Sequence, residues 1–310
     1  MTHSRAMPRR ADPDPELPML TLVGQARDAG MSINQIRHRV RTGAWGRVAR
    51  GTYLPDGEAV FSTLDRHARA RADHLLRAVA AALGNPGSTV CDTSSAVIHE
   101  MDVLRLPPRV QLGVPPGRWS GTRSGIDFRI RDFADGDVVL GRVPMASPLR
   151  SWVDLTRFGT LADALAAGDS AVRRGLFDPR DAAERISDWA GQWGCRRLER
   201  AVGLLDGARE SVLESASFAY FVEHRIPLPR CQVVIRAGDG RFLGRVDFLW
   251  EEARLVGECD GRMKYASAAD VYAEKRREDD IRAESFDVFR WGMSDLRTAA
   301  LAERLRRRLR

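Results

Sequence analysis

Residues Arg245–Tyr265, RVDFLWEEARLVGECDGRMKY, decide how the C-terminal third of the chain folds. Val246, Phe248 and Trp250 alternate with Asp247 and Leu249, and Leu255, Gly257 and Cys259 alternate with Val256 and Glu258. That period of two predicts a pair of strands. A turn centred on Glu252 and Ala253 sets Asp247 opposite Glu258. Side chains at i and i+2 share a face of a strand, so Asp247, Glu258 and Asp260 project together, away from Phe248 and Trp250. Leu249 and Val256 share their face, which is therefore partly apolar. Carboxylates crowded at the end of such a sheet repel one another unless a cation joins them. Oxygen donors in that number suit Mg²⁺ or Mn²⁺. The bland alternative is a hairpin carrying surface acids, and the residues alone leave both open.

On either side of the hairpin the pattern extends into a domain over 207–310. Ser211-x-x-Glu214 reads as a capping box opening a helix to about His224. Strands follow at Gln232–Arg236 and Phe242–Trp250. After the hairpin come a helix from Ala268 to Glu284, a strand Asp287–Trp291 and a closing helix Ser294–Leu309. The expected order is α-β-β-β-α-β-α, an α/β domain with a crossover helix.

Asp247-x10-Glu258-x-Asp260 resembles the core of PD-(D/E)xK nucleases. With Val246, Cys259, Gly261, the helix that follows, and Val288–Trp291 leading to Asp295-Leu296, it more closely resembles the very-short-patch-repair-endonuclease-like domain at the C-terminus of many actinobacterial proteins. The resemblance implies a restriction-endonuclease-like fold and metal-dependent phosphodiester hydrolysis. It makes Asp247, Glu258 and Asp260 metal ligands and brings Glu214 on the first helix to the site; otherwise Glu214 only completes the cap. Asp260 stands where many such nucleases place a lysine. The cation would then come from Lys275 or, less directly, Lys264, the only two lysines in the chain. Arg276 and Arg277 would contact the nucleic-acid backbone.

The N-terminus follows other rules. Residues 1–17 are rich in Pro and charge and are expected to be a disordered tail. A helical pattern starts at Met19, with Leu20, Val23 and Ala26 apolar, and ends at Gly30. Ser32-x-x-Gln35 caps a second helix, with Ile33, Ile36 and Val40 as its buried stripe and Asn34, Arg37, His38 and Arg41 on the other side. Gly43 stops it, and Trp45–Tyr53 forms a short wing with Arg47 and Arg50. Over 18–57 this is the layout of a winged helix-turn-helix, in which the second helix enters the major groove and wing arginines meet phosphate. Arg37, His38, Arg41, Arg47 and Arg50 are its nucleic-acid-binding candidates, with Lys264 and Arg276 in the last domain. A winged helix serving only protein contacts is the alternative.

The run Gly30–Tyr53, especially Gly43–Tyr53, resembles the N-terminal domain of AbiEi-type antitoxins of type IV toxin–antitoxin systems. That resemblance implies DNA binding, autoregulation and a cognate toxin as partner. Residues 58–206 read as an α+β connector: a long helix Ser62–Leu83, strands near Val110–Val114 and Ile126–Ile130, and helices over 161–205. Ser147-Pro-x-Arg150-x-x-x-Asp154 continues the antitoxin-like layout. His99 is read as a packed or capping residue, and His99 with Asp154 is not taken as a catalytic pair.

Composition agrees with an α+β multidomain protein. In 310 residues, 49 Lys and Arg face 42 Asp and Glu, a net charge of +7 that favours an anionic partner, DNA first. The four cysteines are widely spaced, which argues against zinc and against a secreted disulfide framework. The sequence lacks a long apolar run and its start has no signal-peptide core, so a cytoplasmic location without membrane contact is expected. Two functions remain: a metal-dependent nucleic-acid endonuclease with a DNA-binding winged helix, or a non-catalytic DNA-binding regulator of antitoxin type.

Overall fold

The hairpin at 245–259 forms in the expected register. In the computed structural model, which describes residues 20–55, 61–62, 64–141, 143–259 and 268–310, the strands Phe242–Trp250 and Leu255–Cys259 pair antiparallel through Phe248↔Gly257, Leu249↔Val256 and Trp250↔Leu255. The expected tail over 1–17 and the residues Asp260 and Lys264 lie outside the described residues. The chain divides into two compact units, residues 1–100 with 105–154, and residues 101–104 with 155–310. The division falls at Asp154/Leu155, so the helices expected in a connector ending at 206 share a unit with the C-terminal sheet. Both units mix helix and sheet, as expected for an α+β multidomain chain. No described helix is long and apolar enough to cross a membrane.

In the first unit, β1 (Thr21–Leu22) leads into α1 (Val23–Asp28) and α2 (Ile33–Arg41), followed by the hairpin β2 (Trp45–Ala49) and β3 (Thr52–Pro55). The three strands pair in the order β1-β3-β2. The helix expected from Met19 thus begins only at Val23; Thr21 and Leu22 pair instead with Tyr53 and Thr52. Ser32 caps α2 as its sequence predicts: its hydroxyl accepts from the Gln35 N–H, and the Gln35 side chain accepts from the Ser32 N–H. Ile36 is buried with Ala26 and Trp45, and Val40 packs against them, but Ile33 is 43% exposed. Sitting at the first turn, Ile33 points past this small core instead of extending its stripe.

The rest of that unit is α3 (Arg66–Gly84), β4 (Thr89–Val90), α4 (Asp92–Ile98), β5 (Val110–Val114), β6 (Gly121–Arg123), β7 (Ile126–Ile130), β8 (Val138–Leu140) and β9 (Pro144–Ala146), with α5 (Pro148–Phe158) running across the division. The six strands order as β6-β7-β5-β4-β9-β8. Asp65, whose carboxylate accepts from the His67 and Ala68 N–H groups, starts α3 four residues later than the expected Ser62. The Ser147-Pro-x-Arg150-x-x-x-Asp154 motif is a structural ion network. Buried Arg150 reaches Asp137 at 2.6 Å and Asp154 at 2.9 Å, while Arg131 joins Asp92 at 2.9 Å. His99 packs beneath it, its Nε2 2.7 Å from the Ala146 carbonyl.

In the second unit, α6 (Leu161–Arg173), α7 (Pro179–Arg185) and α8 (Cys195–Val202) precede α9 (Val212–Glu223), β10 (Arg230–Arg236), β11 (Phe242–Trp250), β12 (Leu255–Cys259), α10 (Ala268–Ala283), β13 (Asp287–Trp291) and α11 (Ala300–Arg308). The sheet runs β10-β11-β12-β13; the first two junctions are antiparallel, and β12 and β13 are parallel across the α10 crossover. Phe248, Trp250, Leu255, Phe289 and Trp291 pack with Phe221 of α9 and Leu301 and Leu305 of α11. The opposite face, with Leu249, Val256 and Val288, packs on Ile281 of α10. The central strands are covered on both faces, which explains the apolar residues on both sides of β11 and β12. The polar interruptions in those two strands mark the site.

Candidate active site

Asp247 and Glu258 interrupt β11 and β12 at the end of the hairpin ladder. Continuing the observed pairing by one step places them opposite one another, and the Cys259 N–H donates to Asp247 Oδ2 at 2.8 Å. Gly257, next to Glu258, has no room for a side chain: a Cβ there would stand 2.6 Å from the Trp291 ring and 2.9 Å from that of Trp250. The two indoles can close under the sheet only because that position is glycine.

The neighbouring strand supplies a residue that the sequence alone did not single out. The pairs Cys231↔Phe248 and Val233↔Val246 set Gln232 opposite Asp247, and Gln232 adopts the left-handed backbone with φ 52°. A non-glycine residue in that region costs energy and is held there by its surroundings. Its side-chain amide donates to Asp247 Oδ1 at 3.2 Å and to Glu214 Oε2 at 2.8 Å. Nε2 carries two hydrogens, so one amide bridges two carboxylates.

Glu214 is buried in the first turn of α9. Ser211 caps that helix through the Glu214 N–H at 3.2 Å. The reciprocal half of the expected capping box is displaced by one residue, because Glu214 Oε2 accepts from the Glu210 N–H at 3.0 Å. Glu214 therefore both serves the helix end and faces Asp247. The fourth side is Arg277 of α10, whose Nη2 lies 3.1 Å from each oxygen of Glu258.

Electrostatics follow from this enclosure. Burial is the largest influence on Asp247 and raises its carboxyl above the ordinary value; the Glu214 charge adds to the rise, while the Cys259 N–H, Gln232 and Arg277 oppose it. Burial also raises Glu258, with Asp247 adding to the effect and Arg277 pulling against it. Each carboxylate is thus held as an anion less comfortably than in water, the condition that a bound cation relieves.

The described structure links Glu214 to Asp247 through Gln232, and sets Glu258 beside Asp247 with Arg277 against it. It does not bring Lys275 to them. Lys275 and Arg276 are exposed on α10. Lys275 precedes Arg277 by two residues, roughly 200° around the helix, so when Arg277 faces the sheet Lys275 faces away. Among the described residues, no three His, Cys, Asp or Glu side chains are grouped so as to hold a metal ion. Asp260 and Lys264 lie outside the described residues.

In the first unit, Arg37, His38 and Arg41 are all exposed on α2, with Arg41 Nη2 3.3 Å from His38 Nδ1. Arg47 on β2 and Arg50 in the turn after it are exposed as well. The guanidinium of Arg39, absent from the expected set, lies 5.2 Å from the Trp45 ring centroid.

No protein-family model matches the chain. It is 28% identical over 252 residues to "Uncharacterized protein MT2308" of Mycobacterium tuberculosis strain CDC 1551 / Oshkosh, a match that covers 80% of this chain and 85% of that protein. The match to "Uncharacterized protein Rv2248" of strain ATCC 25618 / H37Rv has the same identity and coverage. Among solved structures, the RV2827C protein of Mycobacterium tuberculosis aligns with 16% identity and a TM-score of 0.33, over 72% of this chain and 85% of that one.

Proposed function

We propose that the protein is a metal-dependent nucleic-acid endonuclease, with the helix-turn-helix and hairpin of its first unit serving as a DNA-binding winged helix. The observation that carries the reading is the buried pair Asp247 and Glu258 on adjacent strands of the β10-β11-β12-β13 sheet, with Glu214 joined to Asp247 through Gln232 and Arg277 on Glu258. The order α9, three strands, α10, strand agrees with the restriction-endonuclease-like core that the sequence resembles.

A set of Asp247, Glu258 and Asp260 would suit Mg²⁺ or Mn²⁺. Asp247 and Glu258 are hard oxygen donors whose burial disfavours their own ionisation, and Asp260 follows Glu258 by two residues. Asp247 and Glu258 would hold the ion, with Asp260 as a further ligand. Once bound, it would polarise the phosphate and lower the pKa of a water. The protein's own residues do the rest. The Cys259 N–H and Gln232 each bond one oxygen of Asp247, and Glu214 is held by Gln232 and the Glu210 N–H, where it can orient water. Arg277, not Lys275, is the cation beside the carboxylates, and it can stabilise charge developing on a phosphoryl oxygen. Arg37, His38, Arg41, Arg47 and Arg50 would contact duplex DNA.

Cleavage of plasmid, linear duplex, single-stranded DNA and RNA with and without Mg²⁺ tests the reading. The wild type should cut at least one of them only with metal, and Asp247→Ala should lower that activity at least 100-fold. Metal-independent cleavage, or equal rates in the variant, would overturn it.

A second reading is favoured by the Arg277–Glu258 pair itself. A guanidinium seated on both oxygens of a ligand carboxylate occupies the place of a metal ion, as a non-catalytic domain would allow. The protein would then be a non-catalytic DNA-binding regulator of antitoxin type, with a cognate toxin as partner. Calorimetry separates the two: saturable Mn²⁺ binding that is lost in Asp247→Ala supports the nuclease, and its absence supports the regulator.

A further inference from the structure

Beside the β2–β3 hairpin, the first unit carries an open groove of about 560 Å³. Its lining runs from Arg50 at the hairpin turn, past the C-terminal end of α3, to Arg118, Trp119 and Arg123 around the β6–β7 hairpin, with Phe128 at its floor. All three arginines are exposed, and no acidic residue is among the described lining. Trp119 is 59% exposed, yet its ring is fixed on two sides. It lies 5.7 Å from the Phe128 centroid at a tilt of 57°, and its Cζ2 stands 2.9 Å from where a Cβ on Gly121 would be. Gly121, at φ +144°, takes a backbone that other residues rarely adopt, and leaves the indole room to lie against the strand. A large aromatic side chain that is held in place and still offers most of its surface to solvent is a stacking platform. Arg50, Arg118 and Arg123 line the same groove, and their guanidinium groups suit the phosphates of a chain.

We infer that this groove binds a single-stranded nucleic-acid segment, with one base stacked on Trp119 and phosphates at Arg50, Arg118 and Arg123. The pairing of an unpaired base with an aromatic face requires no sequence reading and is open to any base. A duplex could not use Trp119 in this way, because its bases are already stacked. An acidic peptide would satisfy the arginines but would leave the indole without a partner. The inference concerns binding alone and does not depend on chemistry at Asp247.

The test is fluorescence anisotropy on the full chain in EDTA, so that cleavage is silent. The probes are short fluorescein-labelled oligothymidylate, oligouridylate and a duplex. Trp119→Ala should weaken single-strand binding ~10-fold and leave duplex binding within about twofold, while Trp119→Phe restores most of the loss. Arg118→Ala with Arg123→Ala should weaken it as well and flatten its salt dependence by nearly two phosphate contacts. These residues are exposed, and unchanged thermal melting verifies the fold. Oligothymidylate and oligouridylate responding alike supports a groove for either sugar, and a preference for one names the strand. The proposal is overturned if the wild type binds neither, if Trp119→Ala binds single strands like the wild type, or if polyglutamate displaces them as effectively as unlabelled oligonucleotide.

Discussion

Arg277 and Glu258 form an ion pair across the end of the sheet, with one guanidinium nitrogen 3.1 Å from both carboxylate oxygens. Their side chains are 24% and 17% exposed, so the pair is screened little by solvent. Glu258 would also hold the proposed metal, and a guanidinium and a divalent cation would compete for the same oxygens. If the proposed metal binds there, Arg277 would give up these oxygens and be free to meet a phosphate.

Arg277→Ala should therefore divide metal affinity from catalysis. In mildly alkaline buffer, where Glu258 stays ionised despite losing its partner, the variant should bind Mn²⁺ several-fold more tightly by calorimetry. Its cleavage rate should fall by at least tenfold, because the guanidinium no longer meets the phosphate. Weaker Mn²⁺ binding in the variant would mean that Arg277 positions Glu258 and does not compete with metal.

Asp247 gives a prediction in stability as well as in activity. Its carboxyl is raised above the ordinary 3.8, chiefly by burial. The folded protein thus binds a proton that the unfolded chain has already released in the window between 3.8 and the raised value. Stability falls as pH rises through that window, and above it the buried anion is a standing cost. Asp247→Asn removes the charge and retains an acceptor for the Cys259 N–H. It should abolish metal-dependent cleavage while melting at or above the wild type at neutral pH, an advantage that vanishes as the pH falls below 3.8. A melting temperature several degrees lower at neutral pH would show that the carboxylate contributes to the fold.

How much of this was legible beforehand depended on whether a residue's role was local. The register of β11 and β12 follows from alternation and turn position, both properties of neighbouring residues, and was readable to the residue. Ser32 and Gln35 cap α2 as their spacing requires, for the same reason. Gln232 was not readable, because its importance arises from facing Asp247 across a strand pair and from an uncommon backbone angle. The choice of Arg277 over Lys275 depends on the rotation of α10, and the helix is polar on most sides, so periodicity does not orient it. The start of α1 depends on a distant partner: Thr21 and Leu22 pair with β3, which the local helical pattern does not reveal.

The exposed basic side of α2 leads to a binding prediction. Arg37 and Arg41 are spaced i, i+4 and face solvent, while Ile36 anchors the helix to Trp45. Substituting both arginines with alanine should weaken duplex DNA binding about tenfold and reduce the slope of log affinity against log salt by about two. Melting should be unaffected, since neither residue is buried. Equal binding and slope by anisotropy would rule out α2 as the DNA-facing element.

A buried clamp holds Glu214 in position. Arg209 and Asp169 of α6 are 1% and 0% exposed; Arg209 Nε donates to Asp169 Oδ2 at 2.6 Å and Nη2 to Oδ1 at 2.8 Å. Asp169 also accepts from Ser215 Oγ at 2.7 Å, in the residue after Glu214, and from the Asp206 N–H at 2.9 Å. The clamp therefore ties the start of α9 to α6. Arg209→Met keeps the packing against Phe218 but leaves Asp169 buried without its cation, which should destabilise the second unit by about 3–5 kcal/mol. Burial already raises the Asp169 carboxyl, and loss of Arg209 raises it further. The deficit should consequently be largest near neutrality and shrink as acid protonates Asp169. Denaturant melts of wild type and variant across that range check the sign, and a deficit that grows on acidification would refute the assignment of Asp169 as the ionised partner.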